Sequence, residues 1–68
     1  MNGKRLEKKI KESGTMKSFS QKMGIAESTL YRKLKNEKFS VSEAEKAVEI
    51  LKLGDEEAYA IFFNGKIA

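Results

Sequence analysis

The sequence predicts an all-α fold in a single small domain, and three observations carry that reading. The 68 residues contain no proline and only five glycines, so helix breakers are scarce. Leu, Lys, Glu and Ala dominate, all of them good helix formers. Apolar residues recur three and four positions apart, which places them on one face of a helix and not on alternate sides of a strand.

Leu6 and Ile10, four apart, give a first helix over about Lys4 to Ser13, ended by Gly14. Thr15 has N-cap chemistry, and Phe19 with Met23 forms the apolar pair of a short second helix. Gly24 is expected to close that helix in the left-handed conformation, leaving Ile25 to point inward. A third helix over Glu27 to Lys35 has Leu30 and Leu34 as its apolar stripe, and Lys35 to Phe39 reads as a loop. Ser40-Val41-Ser42-Glu43 fits a capping box. The helix it opens is expected to bury Val41, Ala44, Ala47, Val48 and Leu51 and to end at Leu53-Gly54. Asp55, Glu56 and Glu57 then complement the dipole of a fifth helix over Asp55 to Phe63, before Asn64-Gly65 stops it.

Composition narrows the function. At 68 residues with 40% hydrophobic content, the chain is long enough for one core and too short to bury a deep catalytic cavity. Cysteine and histidine are absent, removing the thiol nucleophile, the usual general base and thiolate or imidazole metal sites. No glycine-rich phosphate loop is present, so neither an enzyme nor a cofactor is expected. The longest apolar run, Ala58 to Phe63, is far short of the roughly 20 residues of a membrane span. Met1 to Lys11 lacks the apolar core of a signal peptide. A cytoplasmic protein with no membrane association and no small-molecule ligand is the expectation.

The net charge of +4 conceals a segregation. Residues 1–38 carry eleven basic and four acidic side chains, a net of +7, whereas residues 39–68 carry three and six, a net of −3. A basic half and an acidic half in one small domain suggest a surface for a polyanion and a separate surface for something else.

Phe19 to Leu34 read as one unit, with a short helix, the turn Gly24-Ile25-Ala26 and a second short helix, have the spacing of a helix-turn-helix. Steeply crossed helices need a small residue where they meet, a turn glycine and a buried aliphatic, and Ser20, Gly24 and Ile25 supply them.

On these residues, from Phe19-Ser20-Gln21-Lys22-Met23-Gly24 through Ile25-Ala26-Glu27-Ser28 to Leu34, the chain resembles the Cro/repressor-type (XRE) helix-turn-helix family of phages and bacteria. The segments Phe39 to Leu53 and Asp55 to Phe63 are similar to the fourth and fifth helices of small prophage Cro/CI-like proteins. The resemblance covers about residues 4–63 of a single domain over 1–68, leaving a short tail, 64–68. It implies a compact five-helix, lambda-repressor-like DNA-binding domain with the helix-turn-helix at helices 2 and 3. It further implies a homodimer that binds double-stranded operator DNA and regulates transcription in a bacterial cell or phage-infected host. The family's positions for contacting the DNA backbone near the second helix fall on Thr15 and Met16, although Met16 stands where a glutamine is common. Ala26 replaces the usual capping serine or threonine, and Ser20 the usual alanine. The segment before Thr15 is one residue shorter than in common members.

At about 100° per residue, Ser28 and Arg32 lie nearly opposite Leu30 and Leu34, with Thr29 and Lys35 beside them. Arg32 is the leading base reader, since its guanidinium presents two parallel donors to guanine O6 and N7. Ser28 can donate or accept at several base edges. The resemblance adds Glu27, whose carboxylate could accept from cytosine N4; the alternative is a carboxylate favoured by the helix dipole. Tyr31 on the flank meets a phosphate or a thymine methyl, or else covers the core. Lys17, Lys33, Lys35, Asn36 and Lys38 flank this face and are expected on the phosphate backbone. Lys4, Arg5, Lys8, Lys9 and Lys11 read as a solvated basic helix that attracts DNA at long range.

Tyr59 and Phe63 form an aromatic pair beyond the main stripe of the fifth helix. With Ile67 they are expected at a homodimer contact, unless they wrap the first and fourth helices. The rival function is a protein-binding module, antitoxin-like or anti-repressor-like, whose acidic half grips a partner. The polar and basic outer face of the third helix favours DNA.

Overall fold

Five helices account for most of the computed structural model, which describes residues 1–63: α1 (Gly3–Ser13), α2 (Met16–Met23), α3 (Glu27–Asn36), α4 (Val41–Leu51) and α5 (Asp55–Phe62). No strand occurs among the described residues, and no helix is long and apolar enough to cross a membrane. The Cα radius of gyration is 11.0 Å, matching the roughly 11 Å of a compact chain of this length.

α1 is the hub and packs against all four other helices. Its stripe explains why: Gly3, Leu6 and Ile10 are buried, and Leu6 meets fully enclosed Leu30 and Ile61 in one core cluster. Each such aliphatic contributes about 1.5 to 3 kcal/mol by leaving water. Phe19 and Met23 of α2 and Leu34 of α3 complete the core around it. α2 lies against α3 and α4, whereas α4 barely touches either α3 or α5.

Side chains close most helix starts. Asn2 accepts from the Arg5 amide at 3.1 Å, and Thr15 from the Ser18 amide at 3.0 Å. Ser40 and Glu43 form the expected capping box, with bonds of 3.1 and 2.8 Å. The C-termini of α2, α3 and α4 share one device. A left-handed residue, Gly24, Glu37 or Lys52, ends each helix. Its amide and the next one return to the carbonyls three and five residues back, the Schellman arrangement.

Several expectations need correction. α1 begins at Gly3, because Asn2 is a better cap than anything further along. α3 continues through Asn36, so the loop is shorter than the expected Lys35 to Phe39. α4 ends at Leu51 with Lys52 as its cap, and Gly54 is the N-cap of α5 instead of a breaker of α4. α5 ends at Phe62, with Phe63 as its cap. Val41, expected in the α4 stripe, is 77% exposed, because it is the first residue of a helix whose neighbours diverge there. Of that stripe only Ala47 is fully buried, with Ala44, Val48 and Leu51 half-buried.

Candidate nucleic-acid interface

The turn between α2 and α3 is held mainly by backbone bonds. Gly24, at φ 78° and ψ 27°, donates to the Gln21 carbonyl at 3.1 Å, and Ile25 donates to that of Ser20 at 3.0 Å. A side chain at Gly24 would strain the left-handed conformation. Ile25 is half-buried against the core, as expected. Ser20 is buried, and its hydroxyl donates to the Lys17 carbonyl at 2.7 Å, so its polarity is satisfied. From α4, the Lys46 ammonium donates to the Met23 carbonyl at 3.5 Å, adding a cation at the C-terminal end of α2.

Beyond the turn, Ala26 has capping backbone angles but no side-chain acceptor for the first amides of α3. Ala26→Ser is expected to raise stability by about 0.5 to 2 kcal/mol, read as a higher midpoint of thermal unfolding.

α3 is fixed from beneath by Leu30 and Leu34, both buried. Its opposite face presents Glu27, Ser28, Tyr31, Arg32 and Lys35 to solvent, with Tyr31 44% exposed. Asn36 and Lys38 continue this exposed surface past the helix end, and Lys17 and Thr15 are exposed on and just before α2. Among the described residues, Arg32, Lys35, Lys38 and Lys17 form no ion pair. The face therefore carries uncommitted positive charge.

Two of the expected backbone contacts change character. The Met16 side chain is buried, 5% exposed, because the first residue of α2 turns its thioether into the core. Lys33 is half-buried and engaged by both Glu43 oxygens, at 3.1 and 3.3 Å. Its ammonium is thus committed to α4 and is a brace between two helices that otherwise scarcely meet.

Glu43 was legible in the sequence as half of a capping box, but not as the partner of Lys33, which lies ten residues earlier. The Ser40 backbone N–H, foremost, holds its carboxyl below the ordinary glutamate range; burial opposes this, and the Lys33 hydrogen bond and charge add to the lowering. A lowered folded-state pKa means that the ionised carboxylate stabilises the fold above the ordinary glutamate range. That contribution is lost as pH falls through the lowered value. Glu43→Gln keeps an acceptor for the cap but removes the charge. It is expected to cost about 0.2 to 1 kcal/mol near neutral pH, with the two unfolding curves converging in acid.

The basic side chains of α1 are more engaged than a solvated helix implies. Lys9 pairs with Glu57 at 3.1 Å, tying α1 to the first turn of α5. Lys11 pairs with Glu7 at 2.9 Å, and the Glu7 hydrogen bond and charge raise its pKa above the ordinary lysine value, with Tyr31 of α3 a smaller contributor.

The aromatic pair at the end of α5 is largely open to solvent, although Phe63 borders a groove beside α4. Tyr59 and Phe63 are 53% and 56% exposed, with ring centroids 5.6 Å apart. Ile67, the third expected dimer residue, lies outside the described residues.

Comparison with known proteins gives no match to a family model, to a curated protein or to a solved structure.

Proposed function

We propose that the chain is a sequence-specific binder of double-stranded DNA and a transcriptional regulator, a lambda-repressor-like helix-turn-helix domain with α3 as the helix that enters the major groove. The observation that carries this reading is the outer face of α3. Ser28, Arg32 and Lys35 stand exposed on a helix braced by Leu30 and Leu34, and neither cation is neutralised by a carboxylate among the described residues. A short helix of this kind, set off by a tight turn, can lie in a groove about 12 Å wide with its side chains against base edges.

In this reading Arg32 and Ser28 read bases, and Glu27 and Tyr31 reach the base edges at the two margins of the face. Lys35, Asn36, Lys38 and Lys17, with the start of α2 at Thr15, hold the phosphates. Lys33 supports the reading helix through Glu43 and makes no phosphate contact of its own. The chain acts as a homodimer joined through the exposed Tyr59 and Phe63 rings.

The test is selection of bound duplexes from a random pool, followed by fluorescence anisotropy over a range of salt. Enrichment of two dyad-related half-sites, about one helical turn of 34 to 36 Å apart, is expected. A pool that returns unenriched overturns the assignment as a sequence-specific regulator.

A further inference from the structure

The exposed Val41 marks a surface away from the DNA-facing side chains of α3. Phe39, Val41, Ala44 and Val48 form one wall of a groove, and Phe62 and Phe63 line the other side. It exists because α4 and α5 barely touch, and small side chains, Ala44 and Ala58, stand where larger ones would have filled the space. Its volume is about 540 Å³, within the roughly 300 to 1,000 Å³ range of ligand pockets. The Phe39 and Phe62 rings, 6.2 Å apart, back it. Among the described residues, two of the four exposed large hydrophobic side chains, Val41 and Phe63, lie on this one feature.

Charge selects the occupant. The chain has 14 basic residues, yet among the described residues no lysine or arginine side chain lines the groove, whereas two carboxylates, Glu37 and Glu45, do, with Met1 beside them. Glu37 accepts from the Gly3 amide; Glu45 is exposed and has no ion-pair partner among the described residues. A polyanion or an acidic peptide is repelled here. A second copy docked on the same patch by two-fold symmetry brings these carboxylates toward their own counterparts. An apolar ridge flanked by cations satisfies both floor and rim.

We propose that the groove between α4 and α5 is a docking site for an amphipathic helix of another protein, with aliphatic side chains along one face and lysine or arginine beside them. Such a helix lays its apolar ridge into the groove at three- and four-residue spacing and sets its cations against Glu45 and Glu37. None of the base-reading or phosphate-holding residues lines this surface, which shares only Phe63 with the proposed dimer contact.

The experiment titrates two synthetic helical peptides of about 14 residues, or four turns, into the full ¹⁵N-labelled chain. One is built from leucine and lysine, the other from leucine and glutamate in the same pattern. The leucine-lysine peptide is expected to shift the amides of Val41, Ala44, Val48 and Phe62 and to bind on the order of tenfold more weakly to Glu45→Lys. Val41→Ser, at an exposed position, weakens it without altering the unfolding midpoint. The proposal is overturned if those amides stay still or if both peptides bind alike. It is also overturned if sedimentation without peptide shows a dimer whose formation moves the same amides, which assigns the groove to a second copy.

Discussion

Replacing Gly3 by alanine is expected to lower the midpoint of thermal unfolding by roughly 10 °C or more. Gly3 is the first residue of α1 and sits against the last turn of α3, where an added Cβ would overlap the Leu34 carbonyl oxygen. A backbone atom cannot swing aside as a side-chain tip can, so one helix must move. Overpacking of this kind costs about 1 to 3 kcal/mol. The movement also disturbs the Gly3 amide, which donates to the Glu37 carboxylate at 3.1 Å, a charged hydrogen bond contributing about 1.5 to 3 kcal/mol. Alanine's better helix propensity returns only about 0.5 to 1 kcal/mol. The net loss is roughly 2 to 5 kcal/mol. Gly54→Ala is the control: φ is −74° and nothing lies within 4 Å of the added atom, so a change within about 1 kcal/mol is expected. Equal effects at the two positions refute the close-packing argument.

Arg32→Ala is expected to relax base preference at one position of the selected site and to cost roughly 1 to 3 kcal/mol of binding, or about 5- to 150-fold in affinity. Arg32 is exposed on α3 and appears in none of the ion pairs. Its removal therefore leaves the fold intact, and circular dichroism should be unchanged. Lys35→Ala should differ in kind. A phosphate contact carries no sequence information, so all duplexes weaken alike and the slope of log affinity against log salt falls by about 0.9. If Arg32→Ala behaves as Lys35→Ala does, Arg32 holds the backbone and reads no base.

The helices were legible because their apolar stripes are clean and their caps are local. Leu6 with Ile10, Leu30 with Leu34, and Ser40 with Glu43 each state their structure within five residues of sequence. The exposed polar face of α3 followed from the same arithmetic. What the sequence could not display were contacts set by the packing of whole helices. Gly3 gave no pattern, since its constraint is the backbone of α3, 31 residues away. Lys33 looked like any lysine flanking the reading face until the approach of α4 brought Glu43 to it. Met16 matches the family by position alone, and that position says nothing of the core that buries its side chain. Val41 fits the α4 periodicity, but periodicity names a side of a helix and does not say whether a neighbour arrives to cover it.

Glu37 holds two assignments that pull against each other. Its backbone occupies the left-handed conformation, φ 55°, disfavoured by about 1 to 2 kcal/mol in any residue bearing a Cβ. Its side chain reaches across to the start of α1. Glycine would relieve the first and abolish the second. The residue is thus a compromise between a local preference and a distant obligation. A glycine is expected to be tolerated or stabilising at Lys52, whose cap serves its own helix, and costly at Glu37, whose side chain also holds the start of α1.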